Sequence, residues 1–255
     1  MAESARAHSF FFADLAGFTA LTEAMGDSDA VDLAHGFYAA VEELVSDYEA
    51  EAVKAIGDAV MVRVDDASDA VALALCVVHD VGGRHFFPTV RAGIHTGPAV
   101  ERGGDWFGAT VNVAARVSGE ASGGEVLLTD ATQEAATSLA GVELRERGRR
   151  ELRNVTEPIV LYAALRAGAA ASASLPVDPV CRMAVDPEHA VGRLVHEGAE
   201  FHFCSMACVG KFAAAPERYT DGCRPATTPR GVLAASRRAS VSGRALLQGS
   251  GRALC

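Results

Sequence analysis

Two aspartates near the beginning of the chain each follow a short apolar run. Asp14 ends the run that starts at Phe10 and is followed by a glycine turn, whereas Asp58 stands in a Gly-Asp pair between two strand-like runs. The pattern predicts Asp14 at a strand end and Asp58 at a hairpin tip. Two carboxylates brought together this way could bind Mg²⁺ or Mn²⁺, which prefer oxygen ligands and bridge substrate phosphates. Singly, each is more simply a turn residue.

A third motif puts an amide and a cation on one helix. Residues 104–116 read Gly-Asp-Trp-Phe-Gly-Ala-Thr-Val-Asn-Val-Ala-Ala-Arg, and the pattern predicts a helix from Ala109 onward. Asn112 and Arg116 are four residues apart and therefore share a helical face. Their donors suit a phosphate or a developing oxyanion, although a solvated polar face is the simpler interpretation of this pair alone. The three motifs in this order indicate phosphoryl chemistry.

These motifs make the sequence resemble the class III nucleotide cyclase family, which makes cyclic AMP or cyclic GMP, over about residues 8–165. The resemblance rests on Phe-x-Asp-Leu-x-Gly-Phe-Thr, on the Lys-x-Ile-Gly-Asp hairpin, on Arg91-Ala-Gly-Ile-His-Thr-Gly and on Asp-x-x-Gly-x-x-Val-Asn-x-Ala-x-Arg. It implies a ferredoxin-like sheet with helices on one face. Periodicity alone supports a mixed α/β (α+β) fold.

Helical stretches are predicted near residues 17–50, 66–83, 109–119 and 130–138, with Asp130 as the cap of the last of them. Strand-like runs fall between these stretches.

The resemblance also implies roles for individual residues. Asp14 and Asp58, helped by the backbone carbonyl of Leu15, would hold two Mg²⁺ or Mn²⁺ ions per site. Lys54 and Asp105 would read the purine base. A lysine donates to N1 of adenine and an aspartate accepts from its exocyclic amine, so the expected substrate is ATP.

The remaining roles fall on a helix and on a loop near the end of this region. Asn112 would orient the ribose, and Arg116 would neutralise the charge that builds on the phosphate in the transition state. Leu152-Arg153-Asn154 stands where the family usually has Leu-Lys-Gly. We expect Arg153 to contact the outer phosphates and the missing glycine to stiffen the turn. Because the family site lies between two catalytic domains, this chain is expected to form a homodimer.

A second unit follows a run of small residues after Leu165. It resembles the YHS domain, a small cysteine-containing module associated with heavy metals, through Asp-Pro-Val-Cys-Arg-Met, the segment 200–208 and the closing Phe-x-x-x-Pro-x-x-Tyr. It departs from that family at Arg182, where Gly is usual, and at Phe201-His202, where paired tyrosines are common.

Three cysteines of this unit are candidate ligands for Zn²⁺ or Cu⁺: Cys181, Cys204 and Cys208. The last two share a helical face if a helix begins at Ser205. A fourth ligand is not obvious, and the candidates are Met183, His202 and Met206. The other interpretation is a module without metal in which the thiols pack.

The predicted organisation is a catalytic domain at 1–166, a linker at 167–175, a YHS-type domain at 176–221 and a disordered tail at 222–255. The net charge of −10 disfavours nucleic-acid binding. We expect no membrane span, and six cysteines without a secretory signal indicate a cytoplasmic protein.

The sequence therefore favours an adenylate cyclase that converts ATP to cyclic AMP and pyrophosphate by two-metal-ion catalysis at a homodimer interface, regulated by metal in the C-terminal unit. The alternative is a noncatalytic nucleotide-binding or dimerisation scaffold that carries a heavy-metal module.

Overall fold

A computed structural model of the chain describes residues 6–84, 86–168 and 175–220. Residues up to 168 form an α/β unit, and residues 175–220 form a smaller second unit. Most of the predicted linker and the whole predicted tail lie outside the described residues. No described helix is both long and apolar enough to cross a membrane.

The secondary structure of the larger unit alternates between strands and helices. In chain order it comprises β1 Ala7–Leu15, α1 Phe18–Met25, α2 Asp27–Val45, β2 Ala50–Ile56, β3 Ala59–Val64, α3 Ala67–Cys76 with a π-helical turn Val77–Val81, β4 Val90–Pro98, β5 Val100–Arg102, β6 Asp105–Phe107, α4 Ala109–Glu120, β7 Val126–Thr129, α5 Asp130–Ala135, β8 Val142–Arg150 and β9 Ile159–Arg166. The smaller unit comprises β10 Gly192–His196, β11 Ala199–Phe203, α6 Met206–Ala214 and α7 Glu217–Thr220.

One mixed sheet organises the larger unit. Its strand order is β2-β3-β1-β4-β7-β9-β8. β4 and β7 pair in parallel, and every other neighbouring pair is antiparallel. A parallel pair needs a long crossover connection, and here α4 forms it. The predicted α+β fold is confirmed.

The central strand β1 is buried on both faces of the sheet. Phe11, Ala13 and Leu15 pack into the cluster that contains residues of α2 and α3, whereas Phe10 and Phe12 pack against α4. The expectation of helices on one face is therefore wrong, because α4 covers the opposite face from α2 and α3. Because both faces of β1 contact apolar side chains, the sequence of this strand is a continuous hydrophobic run from Phe10 to Ala13.

Two predicted boundaries differ in the structure. The single helical stretch expected over 17–50 is divided at Gly26, whose φ of +94° interrupts the helix. It ends at Val45, and a turn over 46–49 leads into β2 at Ala50. The cap of α5 is Thr129 rather than Asp130, because the hydroxyl of Thr129 accepts from the amide of Thr132. A side chain can cap only from the residue that precedes the helix.

The smaller unit is attached to the larger one through α1 and through the segment before β4. Leu21 of α1 belongs to the same buried cluster as Phe203, Cys208 and Phe212. Backbone hydrogen bonds link residues 86–89 to residues 182–184. Contacts of both kinds join the units into a continuous structure.

Gly93 sets the distance between β4 and α4. A Cβ atom built on it would lie 1.9 Å from the amide nitrogen of Ser118 and 2.4 Å from the carbonyl carbon of Val117. Both atoms belong to the α4 backbone, which cannot move aside as a side chain can. Only glycine allows the helix to approach the strand this closely.

We predict that Gly93→Ala destabilises the protein by about 3 kcal/mol or more, at the upper end of overpacking costs, because α4 must separate from the sheet. Urea denaturation followed by circular dichroism measures the change. Gly119→Ala is the matched control: nothing lies within 4 Å of a Cβ there, so a helical alanine should stabilise by up to about 1 kcal/mol. Equal midpoints for the two variants would contradict the prediction.

Candidate functional site

Asp14 and Asp58 come together at one end of β1. Asp14 is the penultimate residue of β1 and pairs directly with Ala59, the first residue of β3. Asp58 precedes Ala59 in the two-residue β2–β3 turn, where Gly57 has a φ of +64°. The predicted hairpin is confirmed, and antiparallel pairing of β1 with β3 brings its tip to Asp14.

The two carboxylates influence one another. Burial raises the pKa of Asp58 above its usual value, and the charge of Asp14 raises it further, whereas Arg91 opposes the shift. Both effects disfavour a second negative charge at this position. A divalent cation would remove that penalty, so the oxygen donors present here fit Mg²⁺ or Mn²⁺.

Arg91 compensates the charge of Asp14. Asp14 and Arg91 are direct partners in the β1–β4 ladder. Nε of Arg91 donates to Oδ1 of Asp14 at 2.5 Å, and a terminal nitrogen donates to Oδ2 at 3.0 Å. This hydrogen bonding raises the pKa of Arg91, which therefore keeps its charge. No role was predicted for Arg91 from the sequence, although it belongs to the Arg91-Ala-Gly-Ile-His-Thr-Gly motif.

Lys54 and Asp105 meet in a close ion pair. Nζ of Lys54 lies 2.8 Å from Oδ1 and 2.6 Å from Oδ2 of Asp105. The hydrogen bond from Lys54 lowers the pKa of Asp105, and the ammonium also lies 5.6 Å from the centroid of the Phe107 ring. The structure thus brings together the two residues expected to read the base. They present donor and acceptor groups side by side.

Asn112 and Arg116 lie on the exposed face of α4. Val113, Ala114 and Val117 cover the sheet from the opposite face of this helix. Within the part of the chain that the structure describes, the side chains of Asn112 and Arg116 form no hydrogen bond or ion pair. The shared helical face expected from their spacing is present, and it is open to a group from outside this chain.

Arg153 is exposed in the loop between β8 and β9. The next residue, Asn154, has a φ of +62°. Asparagine tolerates this left-handed conformation better than most side chains. The turn therefore forms without the glycine that is usual in the family.

Four side chains of the smaller unit converge on one point. The ligand atoms of Asp178, Cys181, Cys204 and Cys208 all lie within 4.8 Å of one another. The sulfur of Cys204 is 3.3 Å from that of Cys181 and 3.9 Å from that of Cys208. The structure thus brings the three predicted cysteines together.

Asp178 is a residue that sequence reasoning missed as the fourth member of this cluster. Its carboxylate accepts hydrogen bonds from the amides of Val180, at 2.8 Å, and Cys204, at 2.9 Å, so it joins the two cysteine-bearing segments. Burial raises its pKa, and the charge of Cys208 adds to the shift. Its position three residues before Cys181, in the Asp-Pro-Val-Cys turn, was the available signal.

The helix of this unit begins later than expected. Ser205 is the N-cap of α6, with its hydroxyl accepting from the amide of Cys208, so Cys204 precedes the helix instead of sharing its face. Of the other fourth-ligand candidates, Met206 is 65% exposed, and Nε2 of His202 lies 3.8 Å from Glu200. His202 is not among the His, Cys, Asp and Glu side chains whose ligand atoms converge within 4.8 Å in the described part of the chain.

The thiols have distinct ionisation tendencies. Hydrogen bonds from Cys181 and Cys204 lower the pKa of Cys208, whereas hydrogen bonds to Cys204 and Cys208, together with burial, raise the pKa of Cys181. One thiolate is thus favoured, and further thiolates are opposed by its charge. A soft cation would relieve this repulsion, and the donor set of sulfur and oxygen fits Zn²⁺.

A pocket of about 290 Å³ adjoins the cluster. Leu21, Ala24 and Met25 of α1 form one wall, and the three cysteines lie among the residues of the other. The thiol cluster is therefore next to the larger unit.

Two family models match the chain. The model for the adenylate and guanylate cyclase catalytic domain matches residues 1–164, and the YHS domain model matches residues 177–222. Both resemblances seen in the sequence are confirmed.

Named relatives match mainly the first of these regions. A pH-sensitive adenylate cyclase of Mycobacterium tuberculosis is 37% identical over 165 residues, which are 64% of this chain and 41% of the relative. An adenylate cyclase of Streptomyces coelicolor is 37% identical over 123 residues, or 48% and 32% of the two chains. The chain thus spans less than half the length of these relatives.

Solved structures show the same fold. Adenylate cyclases from Trypanosoma brucei include a chain with a TM-score of 0.57 at 23% identity, covering 64% of this chain and 90% of that one. The guanylate cyclase domain of RhGC from Catenaria anguillulae also gives 0.57, at 20% identity, and covers 65% and 99%.

We predict that this chain, kept reduced, binds one Zn²⁺ at the thiol cluster, and that Cys208→Ser weakens binding by at least about 100-fold because a thiolate is lost. Asp178→Asn should weaken it by about 10- to 100-fold, whether the carboxylate ligates the ion or only orients the cysteines. Competition with a chromophoric chelator measures the affinity. Cys223→Ser, outside the described residues, is the control, and equal loss in that variant would contradict the assignment.

Proposed function

Because the chain belongs to the adenylate and guanylate cyclase catalytic-domain family, with a YHS domain after the catalytic domain, we propose that it converts ATP to 3′,5′-cyclic AMP and pyrophosphate. The observation that carries the proposal is the pairing of Asp14 with the Asp58 hairpin, where the pKa of Asp58 is raised by burial and by its neighbour. Such a carboxylate pair is costly without a cation and suits a site for polyphosphate substrates.

Asp14, Asp58 and the carbonyl of Leu15 would hold two Mg²⁺ or Mn²⁺ ions. Bound there, the ions would neutralise phosphate charge and favour ionisation of the ribose 3′ oxygen. Arg91 would keep the Asp14 carboxylate oriented through its two hydrogen bonds. Its persistent charge also limits the net negative charge around the two aspartates.

Lys54 and Asp105 would select adenine. Lys54 and Asp105 pair with one another within the chain, which holds a donor and an acceptor next to each other. The ammonium can donate to N1 and the carboxylate can accept from the exocyclic amine of adenine. Guanine presents the opposite pattern at these atoms, which favours ATP over GTP.

Asn112 and Arg116 would act on the ribose and the α-phosphate. Both side chains are exposed on α4. The metal ligands proposed for this chain lie elsewhere, at the end of β1 and in the β2–β3 turn. A head-to-tail homodimer would supply Asn112 and Arg116 from one subunit to the ions held by the other. Arg153, exposed in its loop, would contact the outer phosphates.

The thiol cluster would regulate this activity. The pocket beside it is lined partly by α1, the helix that follows Asp14 in the chain. Metal bound by the cysteines would therefore act on the segment that also positions the catalytic carboxylates. Measuring the cyclase rate during the Zn²⁺ titration tests this proposal, with Cys208→Ser reporting any effect of zinc elsewhere.

We predict cyclic AMP from ATP, and little cyclic GMP from GTP, when the purified protein is incubated with Mn²⁺ and the products are separated chromatographically. Asp58→Ala should lower the rate at least about 100-fold, because several kcal/mol of charge stabilisation is lost. Cyclic GMP as the main product would contradict base selection by Lys54 and Asp105. Absence of both products would favour the noncatalytic scaffold.

We predict that an equal mixture of Asp58→Ala and Arg116→Ala subunits regains about a quarter of the wild-type rate. Random exchange makes about half of the dimers mixed, and one of the two sites in each is intact. Asp58→Ala mixed with Asp14→Ala is the control, because both lesions fall on the metal side and every site stays defective. Equal rates in the two mixtures, with exchange demonstrated by fluorescence transfer, would refute the shared site.

A further inference from the structure

Arg182 has a left-handed backbone conformation. Its φ is +66°, which side chains other than glycine adopt infrequently, and glycine is the usual residue at this position in YHS sequences. Glycine would therefore adopt this backbone conformation with less strain than arginine does. When its surroundings hold a residue other than glycine in such a conformation, this indicates a functional role for the side chain.

The side chain of Arg182 lies against the turn that follows Asp14. A Cβ atom built on Gly17 would come within 2.5 Å of Cγ and 3.1 Å of Cβ of Arg182. Backbone hydrogen bonds connect the same segments: the amide of Thr89 donates to the carbonyl of Arg182, and the amide of Ala16 donates to the carbonyl of Thr89. The C-terminal unit therefore places the aliphatic part of a cationic side chain against the turn between the carboxylate site and α1.

This turn supplies no charge of its own. Residues 15–19 read Leu-Ala-Gly-Phe-Thr, and Gly17 provides no side-chain cap for α1. Arg91 is already engaged by both oxygens of Asp14. The polyphosphate of ATP carries several negative charges, and the planar guanidinium of an arginine can donate two hydrogen bonds to phosphate oxygens at once. Arg182 is partly exposed.

We propose that Arg182 is a substrate-binding residue of the cyclase site in its own chain, and that its guanidinium binds the polyphosphate of ATP. The inference rests on the proposed adenylate cyclase function and deepens it. The YHS domain is then part of the active site as well as a metal module. Because Cys181 adjoins Arg182, the loop that carries a thiol of the cluster also sets the position of this cation.

The test compares Arg182→Gly, Arg182→Lys and the control Arg218→Ala in the full chain. Glycine suits the φ of +66° and should leave the thermal midpoint unchanged or higher, so lost function cannot be attributed to unfolding. Arg218 is exposed in α7, and its replacement removes the same charge from the same unit. The measurements are kcat, KM for ATP, and the inhibition constant of inorganic triphosphate.

Arg182→Gly should raise KM for ATP and the inhibition constant of triphosphate by about tenfold or more, with a smaller change in kcat. Lysine should restore part of the loss, and Arg218→Ala should change neither constant by more than about twofold. Unchanged constants in Arg182→Gly would overturn the proposal. A higher kcat/KM would also overturn it, because the arginine would then obstruct the site.

A binding measurement distinguishes failure of the Arg182 proposal from failure of the proposed cyclase activity. If the wild-type protein forms no cyclic nucleotide, Mn²⁺-dependent binding of 3′-deoxy-ATP, which lacks the attacking hydroxyl, is measured by calorimetry. Weaker binding to Arg182→Gly than to wild type would still support the phosphate contact. Equal binding to both, or no binding to wild type, would refute it.

Discussion

The candidate site depends on the ion pair between Asp14 and Arg91, which are direct partners on the adjacent strands β1 and β4. Compensation of Asp14 by this guanidinium allows a second carboxylate, Asp58, to approach from the β2–β3 turn. A terminal nitrogen of Arg91 also donates to the carbonyl of Ala121, at 3.3 Å, and so contacts the end of α4. A single arginine therefore orients a carboxylate and links the sheet to the helix that carries Asn112.

The candidate site residues of the cyclase domain lie on several different elements. Asp14 and Asp58 lie at the β1 end, Lys54 pairs with Asp105, and the exposed face of α4 carries its own donors. In the proposed homodimer, these groups would meet across the subunit boundary, which explains why α4 presents polar side chains without partners inside the described part of the chain. A shared site also makes activity depend on protein concentration.

Two of the departures from the family patterns, those at Asn154 and Arg182, occur at left-handed backbone positions. Asn154 replaces a usual glycine and adopts a φ of +62°, which asparagine tolerates better than most residues. Arg182 also replaces a usual glycine, and it adopts a φ of +66°, a conformation that arginine tolerates less well than asparagine. The first substitution thus preserves a turn, whereas the second retains a strained backbone and a long cation against Gly17. This difference is the physical basis for assigning the second one a role in the proposed active site.

Apolar periodicity was sufficient to predict the mixed α+β fold, the Gly57-Asp58 pair predicted the hairpin, and the four-residue spacing of Asn112 and Arg116 predicted their shared face of α4. These features depend on local geometry. The sequence also identified the three cysteines. Tertiary structure alone revealed Asp178 as their neighbour, Arg91 as the partner of Asp14 and the contact of Arg182 with Gly17. Those contacts join residues from separate segments of the chain, and their distances depend on strand order and on how the two units pack, which no local pattern encodes.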